Sequence, residues 1–238
     1  MNILEQIAER TRQRIAEEKQ KFDFPFEKAL KGGDIAFICE VKKASPSKGV
    51  IAENFDYVKI AQDYEAAGAA AISVLTEPYW FKGSDNYLRE IADAVKVPLL
   101  RKDFTVDEYM IYETKVLGAS ALLLIVAIFD EPTLKKYIET AHSIGLSALV
   151  EVHDEREIEM ALKAGARMIG VNNRDLKTFE VDISLSERLR PLVPKGVIFV
   201  AESGIKTRED VARLRKVGTD AVLVGETLMR GGSLQSLR

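Results

Sequence analysis

Short apolar runs rich in β-favouring residues recur along the chain, at 35–41, 70–75, 97–100, 121–126, 147–152, 168–172, 197–201 and 221–224. Between them lie charged stretches whose apolar residues follow helical spacing, among them 57–67, 107–117, 131–144, 155–163 and 208–217. The alternation predicts eight β-α units. Five phrases that close helices, AAGAAAIS, LGASALLL, IGLSALVE, AGARMIGV and VGTDAVLV, place Gly68, Gly118, Gly145, Gly165 and Gly218 where a helix C-terminus needs a left-handed residue. The runs are continuously apolar rather than alternating, as expected of parallel strands covered by helices on one side and filled by side chains on the other. An open doubly wound sheet and a closed barrel both fit this pattern. Eight regular units in one chain favour the closed α/β form, a (βα)8 TIM barrel.

The segment 2–20 sets Ile3, Leu4, Ile7 and Ile15 among many charges and predicts a helix that lays one apolar edge on a larger body. The segment 22–33, with Pro25 and Gly32-Gly33, breaks the helical pattern. No linker or low-complexity segment interrupts the rest. The expectation is one domain over 1–238, with an N-terminal helical extension at 1–33 and the barrel at 34–238.

Composition narrows the chemistry. The 34 Lys and Arg against 37 Asp and Glu give a net charge of -3, which argues against a nucleic-acid partner recognised through a basic surface. A single cysteine, Cys39, excludes an intramolecular disulfide, and with only His142 and His153 no His/Cys metal site is expected. The amino end is charged throughout, and the longest apolar stretch, 119–129, is too short to cross a bilayer. A cytoplasmic protein with no membrane partner is the expectation, and a monomer is the default.

In such a barrel the polar residues at the carboxyl ends of strands converge on one rim. These ends read CEVKKASPSKG, LLRKDF, LVEVH, VNNRD, VAESG and LVGETLM. Alternation puts Glu40 and Lys42 on one face of the first strand and turns Cys39 and Val41 to the other. Glu40, Glu151 and Glu202 are embedded in apolar strand ends, where a charge is costly unless paired, and Lys42 and Lys102 are the natural partners. The set reads either as an acid/base site or as a structural ion-pair network. After the seventh and eighth strands, Ser203-Gly204 and Gly225-Glu226-Thr227 leave backbone N–H groups beside a short helix start, an arrangement that holds phosphate. The turn at Ser45-Pro46-Ser47-Lys48-Gly49 offers further donors from the first loop.

Taken together and in order, CEVKKASPSKG, SVLTEPYWFKGS, LLRKDF, LVEVH, GVNNRDL, AESGI and LVGETLM resemble the indole-3-glycerol phosphate synthase family over nearly the whole chain. The resemblance implies a barrel whose N-terminal segment helps cover the active-site mouth. It implies a ring closure without metal or organic cofactor, in which 1-(2-carboxyphenylamino)-1-deoxyribulose 5-phosphate loses carbon dioxide and water. By the resemblance Lys102 is the general acid and Lys42 pairs with the substrate carboxylate. Glu151 is base or proton relay, and Glu40 and Glu202 hold the lysines, with Glu40 as the partner of Lys102. Asn172 binds substrate hydroxyls, Arg174 secures the anthranilate end, and Ser203 lines the site. The phosphate lies among Ser45, Gly204, Gly225 and the Glu226 backbone, and Phe81, Phe104, Leu123 and Leu176 wall the aromatic ring. Only 226–238 follow the eighth strand, short for the last barrel helix of the family, and a less stable final unit is expected.

Two other readings compete. Phosphoribosylanthranilate isomerase, with a Cys base and an Asp acid, would give Cys39 a role, although alternation turns this thiol away from Glu40 and Lys42. A non-catalytic barrel that binds a phosphorylated ligand or a partner protein would keep the phosphate loops, yet has no reason to gather Lys42, Lys102 and Glu151 on the rim.

Overall fold

A computed structural model describes residues 2–238. Eight parallel strands, β1 (Ala36–Val41), β2 (Ala71–Leu75), β3 (Leu99–Lys102), β4 (Ala121–Ile125), β5 (Ser147–Val152), β6 (Met168–Asn172), β7 (Ile198–Glu202) and β8 (Ala221–Val224), close into a barrel. Each strand pairs with its neighbours in sequence, and β8 returns to β1 with Ile38 opposite Leu223. The third strand lies two residues later than the pattern predicts. Pro98 offers no N–H to a ladder, and pairing with β2 carries the strand on to Lys102.

The connecting helices are α3 (Tyr57–Ala66), α4 (Asp85–Ala94), α5 (Glu108–Val116), α6 (Glu131–Ser143), α7 (Glu155–Lys163), α8 (Ser184–Leu189) and α9 (Arg208–Lys216). All but α8 begin on a side-chain cap, from Asp56, Ser84, Asp107, Asp130, Asp154 and Thr207 in turn. The five glycines predicted to end helices all take positive φ, from 76° at Gly145 to 90° at Gly118. The turn after β1 is a small antiparallel hairpin, Ala44–Ser45 against Gly49–Val50.

Strand alternation sorts the apolar residues into two layers. Ile38, Leu100, Leu123, Leu149, Met168 and Val200 fill the barrel, whereas Phe37, Cys39, Val41, Ile72 and Val74 face the helices. Cys39 is fully buried in this outer layer.

The extension departs from expectation. Helix α1 (Ile3–Gln20) buries none of its residues, and Ile3, Leu4 and Ile7 are each more than half exposed. Its last turns run toward Tyr112, Val116, Ser143 and Ile144, at the C-terminal ends of α5 and α6. Those helix ends lie on the side of the barrel opposite the strand carboxyl ends, so the last turns of α1 stand away from the active-site mouth. The second segment, predicted as broken, holds a short helix, α2 (Pro25–Ala29). Its Phe26, together with Leu30, belongs to the same interior cluster as Ala71, Ala121, Met168, Ile198 and Ala221, each the first residue of its strand. Glu27 pairs with Arg167 at 2.6 Å and accepts from the Ser147 hydroxyl at 3.2 Å. Helix α2 therefore plugs the amino end of the barrel.

In place of one long final helix, α10 (Glu226–Met229) and α11 (Leu234–Leu237) follow β8, and Leu228, Leu234 and Leu237 are buried against the outer layer. Arg238 donates to the Gly68 carbonyl at 2.8 Å. The last unit is thus short but seated.

Candidate active site

Because polar residues end the strands, one rim of the barrel collects Glu40 from β1 and Lys42 directly after it, Lys102 from β3, Glu151 from β5, Asn172 from β6 and Glu202 from β7. The Lys102 ammonium lies 3.3 Å from Glu151 Oε2 and 3.3 Å from Glu202 Oε2. Burial works against its charge, yet Glu202, Glu151 and Glu40 together outweigh burial and hold the lysine well above its ordinary value. Lys42 pairs with Glu40. The expected pairing of Glu40 with Lys102 is therefore corrected. Glu40 and Lys42 stand two residues apart on one strand face, while Lys102 reaches across the barrel mouth to β5 and β7.

Two glycines make room for these carboxylates. A methyl group on Gly170 would strike Glu202 Oε1, and one on Gly225 would strike Glu40 Oε2 and come within 3.0 Å of Lys42 Nζ. Glu202 Oε1 is buried and has no hydrogen-bond partner. Its carboxyl is raised by burial, and the nearby Glu151 charge adds to this against the opposing pull of Lys102. Glu151 goes the other way. Burial raises it, but Lys102, His153 and Asn172 overcome this and hold it well below the usual carboxylate range. Asn172 Nδ2 donates to Glu151 Oε1 at 3.1 Å, and its own oxygen accepts from the Arg174 backbone at 3.1 Å, so the amide is fixed.

Ser203 adopts φ 65° and Gly204 φ 83°, consecutive left-handed residues directly after β7. A serine held in this region is strained and must be constrained by its surroundings. The constraint includes Asn173, whose Nδ2 donates to the Ser203 carbonyl at 3.2 Å and whose oxygen accepts from Ser186 backbone and hydroxyl at 3.1 and 2.8 Å. Gly225 caps α10 without a side-chain bond, which leaves the first-turn N–H groups of that helix open toward the rim. Ser45 stands at the turn end of the hairpin after β1, paired with Gly49 and half-buried.

The aromatic side of the rim is shaped by the loop after β2. The Glu77 carboxylate accepts from the backbone N–H groups of Tyr79, Trp80 and Phe81 at 2.7 to 3.0 Å. The turn presents Phe81 to Phe104 with ring centroids 6.4 Å apart. Leu176 is exposed on the loop after β6. Leu123 faces the interior one layer below Ile125, the residue in register with Glu151. It is a floor rather than a wall. The Arg174 guanidinium lies 3.8 Å from Glu226 and donates to the Phe179 carbonyl at 3.2 Å.

Residues that sequence reasoning passed over complete the site. His153, two positions beyond Glu151, sets Nε2 3.4 Å from Glu151 Oε1 and Nδ1 3.1 Å from Glu157. Asn173 and Glu77 carry no charge pattern of their own to flag them, although each sits in a quoted strand-end phrase. Arg101, on the outer face of β3, is buried among Asp85 at 2.8 Å, Glu113 at 2.8 Å and Thr76, and so anchors the strand that carries Lys102. Burial pushes the Cys39 thiol up to about 12, and the residue faces the helices, so it offers no base to the rim. Among the described residues no group of three or more His, Cys, Asp or Glu has metal-binding geometry, and no helix is long and apolar enough to cross a membrane.

Comparison with known proteins gives the same direction. The family model for indole-3-glycerol phosphate synthase matches residues 2–237. An indole-3-glycerol phosphate synthase of Ruminiclostridium cellulolyticum is 61% identical over 212 residues, 89% of this chain and 82% of that protein. Those of Endomicrobium trichonymphae and Lachnoclostridium phytofermentans are 57% and 47% identical, over 91% and 97% of this chain and 84% and 95% of theirs. With similarity running through nearly every β-α unit, the chain belongs to the indole-3-glycerol phosphate synthase family.

Proposed function

We infer that this protein closes the indole ring of indole-3-glycerol phosphate, a decarboxylating lyase step of tryptophan biosynthesis. The substrate is 1-(2-carboxyphenylamino)-1-deoxyribulose 5-phosphate. The observation that carries the reading is the largely buried Lys102 ammonium between Glu151, which Asn172 holds, and Glu202, on the same rim as the Glu40–Lys42 pair.

The ring carbon that bears the carboxylate attacks the ribulose carbonyl carbon, and the carbonyl oxygen takes the Lys102 proton as the new carbon–carbon bond forms. A lysine held above its ordinary value remains charged until this moment. The acceptor is a developing alkoxide, a far stronger base than either carboxylate, so the proton still moves in the productive direction. The bond to the substrate carboxylate then breaks and its electron pair restores the aromatic ring, releasing carbon dioxide. Lys42 is the cation that receives the carboxylate beforehand. The new hydroxyl leaves as water after a second protonation, and Glu151 takes up or relays the proton lost from the carbon between that centre and the nitrogen, which completes the indole double bond. Glu40 and Glu202 hold the two lysines. Asn172 binds substrate hydroxyls, Ser203 lines the site beside Glu202, and Arg174 secures the anthranilate end. The phosphate rests on Ser45 and the backbone at Gly204, Gly225 and Glu226, where loop and helix N–H groups favour an anion. Phe81, Phe104 and Leu176 flank the aromatic ring over Leu123.

The same reading takes the chain as one domain over 1–238 that works as a monomer in the cytoplasm. It acts on a small phosphorylated molecule, without metal or organic cofactor and with no nucleic-acid or membrane partner. The net charge of -3 supports the exclusion of nucleic acid. The test is to mix protein dialysed against a chelator with the substrate and follow indole fluorescence and product mass. Product lighter than substrate by one carbon dioxide and one water is expected. Binding of the substrate without conversion would replace this reading with a non-catalytic barrel.

A further inference from the structure

Two buried carboxylates, Glu151 and Glu202, flank Lys102 at the same distance, 3.3 Å, and both are nearly inaccessible to solvent. Sharing one ammonium at equal range, they should share its influence. What separates them is the other side of each group. Glu202 Oε1 has no hydrogen-bond partner, whereas Glu151 Oε1 accepts from Asn172 Nδ2 at 3.1 Å and lies 3.4 Å from His153 Nε2, an ion-pair approach in which Nε2 makes no hydrogen bond. The His153 imidazole is itself sandwiched. Its Nδ1 lies 3.1 Å from Glu157 Oε2, and the same oxygen accepts the His153 backbone N–H at 2.7 Å.

We propose that His153 is a positioning residue of this site: its imidazolium, clamped by Glu157, makes Glu151 rather than Glu202 the more readily ionised of the two carboxylates beside Lys102. The role rests on the synthase reading, in which Glu151 takes up and returns a proton. Every group that faces the pair is consistent with it. Lys102 comes from β3, Glu202 from β7, Glu40 from β1, the neutral Asn172 from β6 and Glu157 from α7. The segment Val126–Ile128, which packs on β5 and α7, brings no titratable side chain. Burial works against the imidazolium, but Glu151 and Glu157 outweigh it and raise His153 to about 10, which leaves the ring charged throughout the neutral range. A permanent cation on one side of a symmetric pair is sufficient to break the symmetry, since one opposite charge at this range moves a carboxyl by roughly one to three pH units.

The experiment has two arms. In the resting protein, nitrogen NMR of the imidazoles is tractable because His142 and His153 are the only histidines. His153 is expected to stay doubly protonated above pH 8, and to lose its proton at a lower pH in Glu157→Gln. Loss of the His153 proton near pH 6.5 in the wild type, or no change in Glu157→Gln, would overturn the proposal. In the second arm the pH profile of kcat/KM is compared for wild type and His153→Gln. The acid-side decline is expected to move up by about one pH unit, close to a tenfold loss on that side, and to converge at higher pH. A uniform loss at all pH values with an unmoved acid limb would assign His153 to packing alone. If His153→Gln fails to fold, Glu157→Gln carries the second arm with a smaller move in the same direction. Absence of turnover in the wild type would refute the synthase reading, while the NMR arm decides the charge on His153 without substrate.

Discussion

Gly225 is where the barrel wall and the chemistry compete for the same space. A methyl group there would strike the Glu40 carboxylate and crowd Lys42. Gly225→Ala is therefore expected to keep the circular dichroism of the wild type while lowering kcat/KM at least tenfold, the order of loss that displaced charged groups cause. Gly165→Ala is the contrasting case, with φ 87° and open space around the position. It should cost about 1–2 kcal/mol in urea unfolding through the left-handed backbone and leave kcat/KM unchanged. Glu202 carries a pH signature. Its carboxyl is raised by burial in the folded protein, so the native state binds the proton more tightly than the unfolded chain and stability falls as pH rises above the ordinary carboxylate value. Glu202→Gln should then raise Tm more at pH 8 than at pH 5, while turnover drops. An equal change at both values would mean that Glu202 is not desolvated at cost. The residue types of this site were legible because charges embedded in apolar strand ends stand out. The pairings were not, since the partner of Lys102 depends on which strands face each other across the mouth, and that is a property of ring order rather than of neighbouring sequence.

At the scale of elements, the two helices of the extension have opposite standing. Helix α1 buries no residue, so Ile7→Ser should change unfolding free energy by no more than about 0.5 kcal/mol. Phe26 of α2 is fully buried at the amino end of the barrel, and Phe26→Ala should cost about 3–5 kcal/mol in the same measurement. His142 connects this end to pH. Burial, with the Arg167 charge adding to it, pushes the imidazole down to about 4, and its ring packs edge-on against Phe24 at 5.9 Å. The folded value lies below the unfolded one, so the native state binds fewer protons and stability is lost as pH falls from about 6.5 toward 4. His142→Gln should flatten the decline of Tm over that window, and an unaltered slope would count against the burial of His142. The strands and most helices were readable from apolar periodicity, and the helix-ending glycines from their fixed place before each strand. Helix α2 was hidden because Pro25 reads equally as a breaker and as a first helical residue. The α1 placement was unreadable because an amphipathic edge does not say which surface it meets.

On the scale of the whole molecule, the closed ring brings charges from four strands and the Asn172 amide of a fifth to one mouth, while α2 seals the other end and α10 and α11 close the seam beside β8. That division separates the residues that hold the barrel together from those that face a substrate, as expected of this architecture. The most direct measurement is kcat for Lys102→Ala beside the wild type, followed by indole fluorescence at saturating substrate, with circular dichroism as the control for folding. Loss of a general acid typically lowers the rate by about 10² to 10⁴, and a fall of that size with little change in KM is the expected result. Turnover close to that of the wild type would contradict the assignment of Lys102 as the proton donor, and with it the chemistry proposed for this rim.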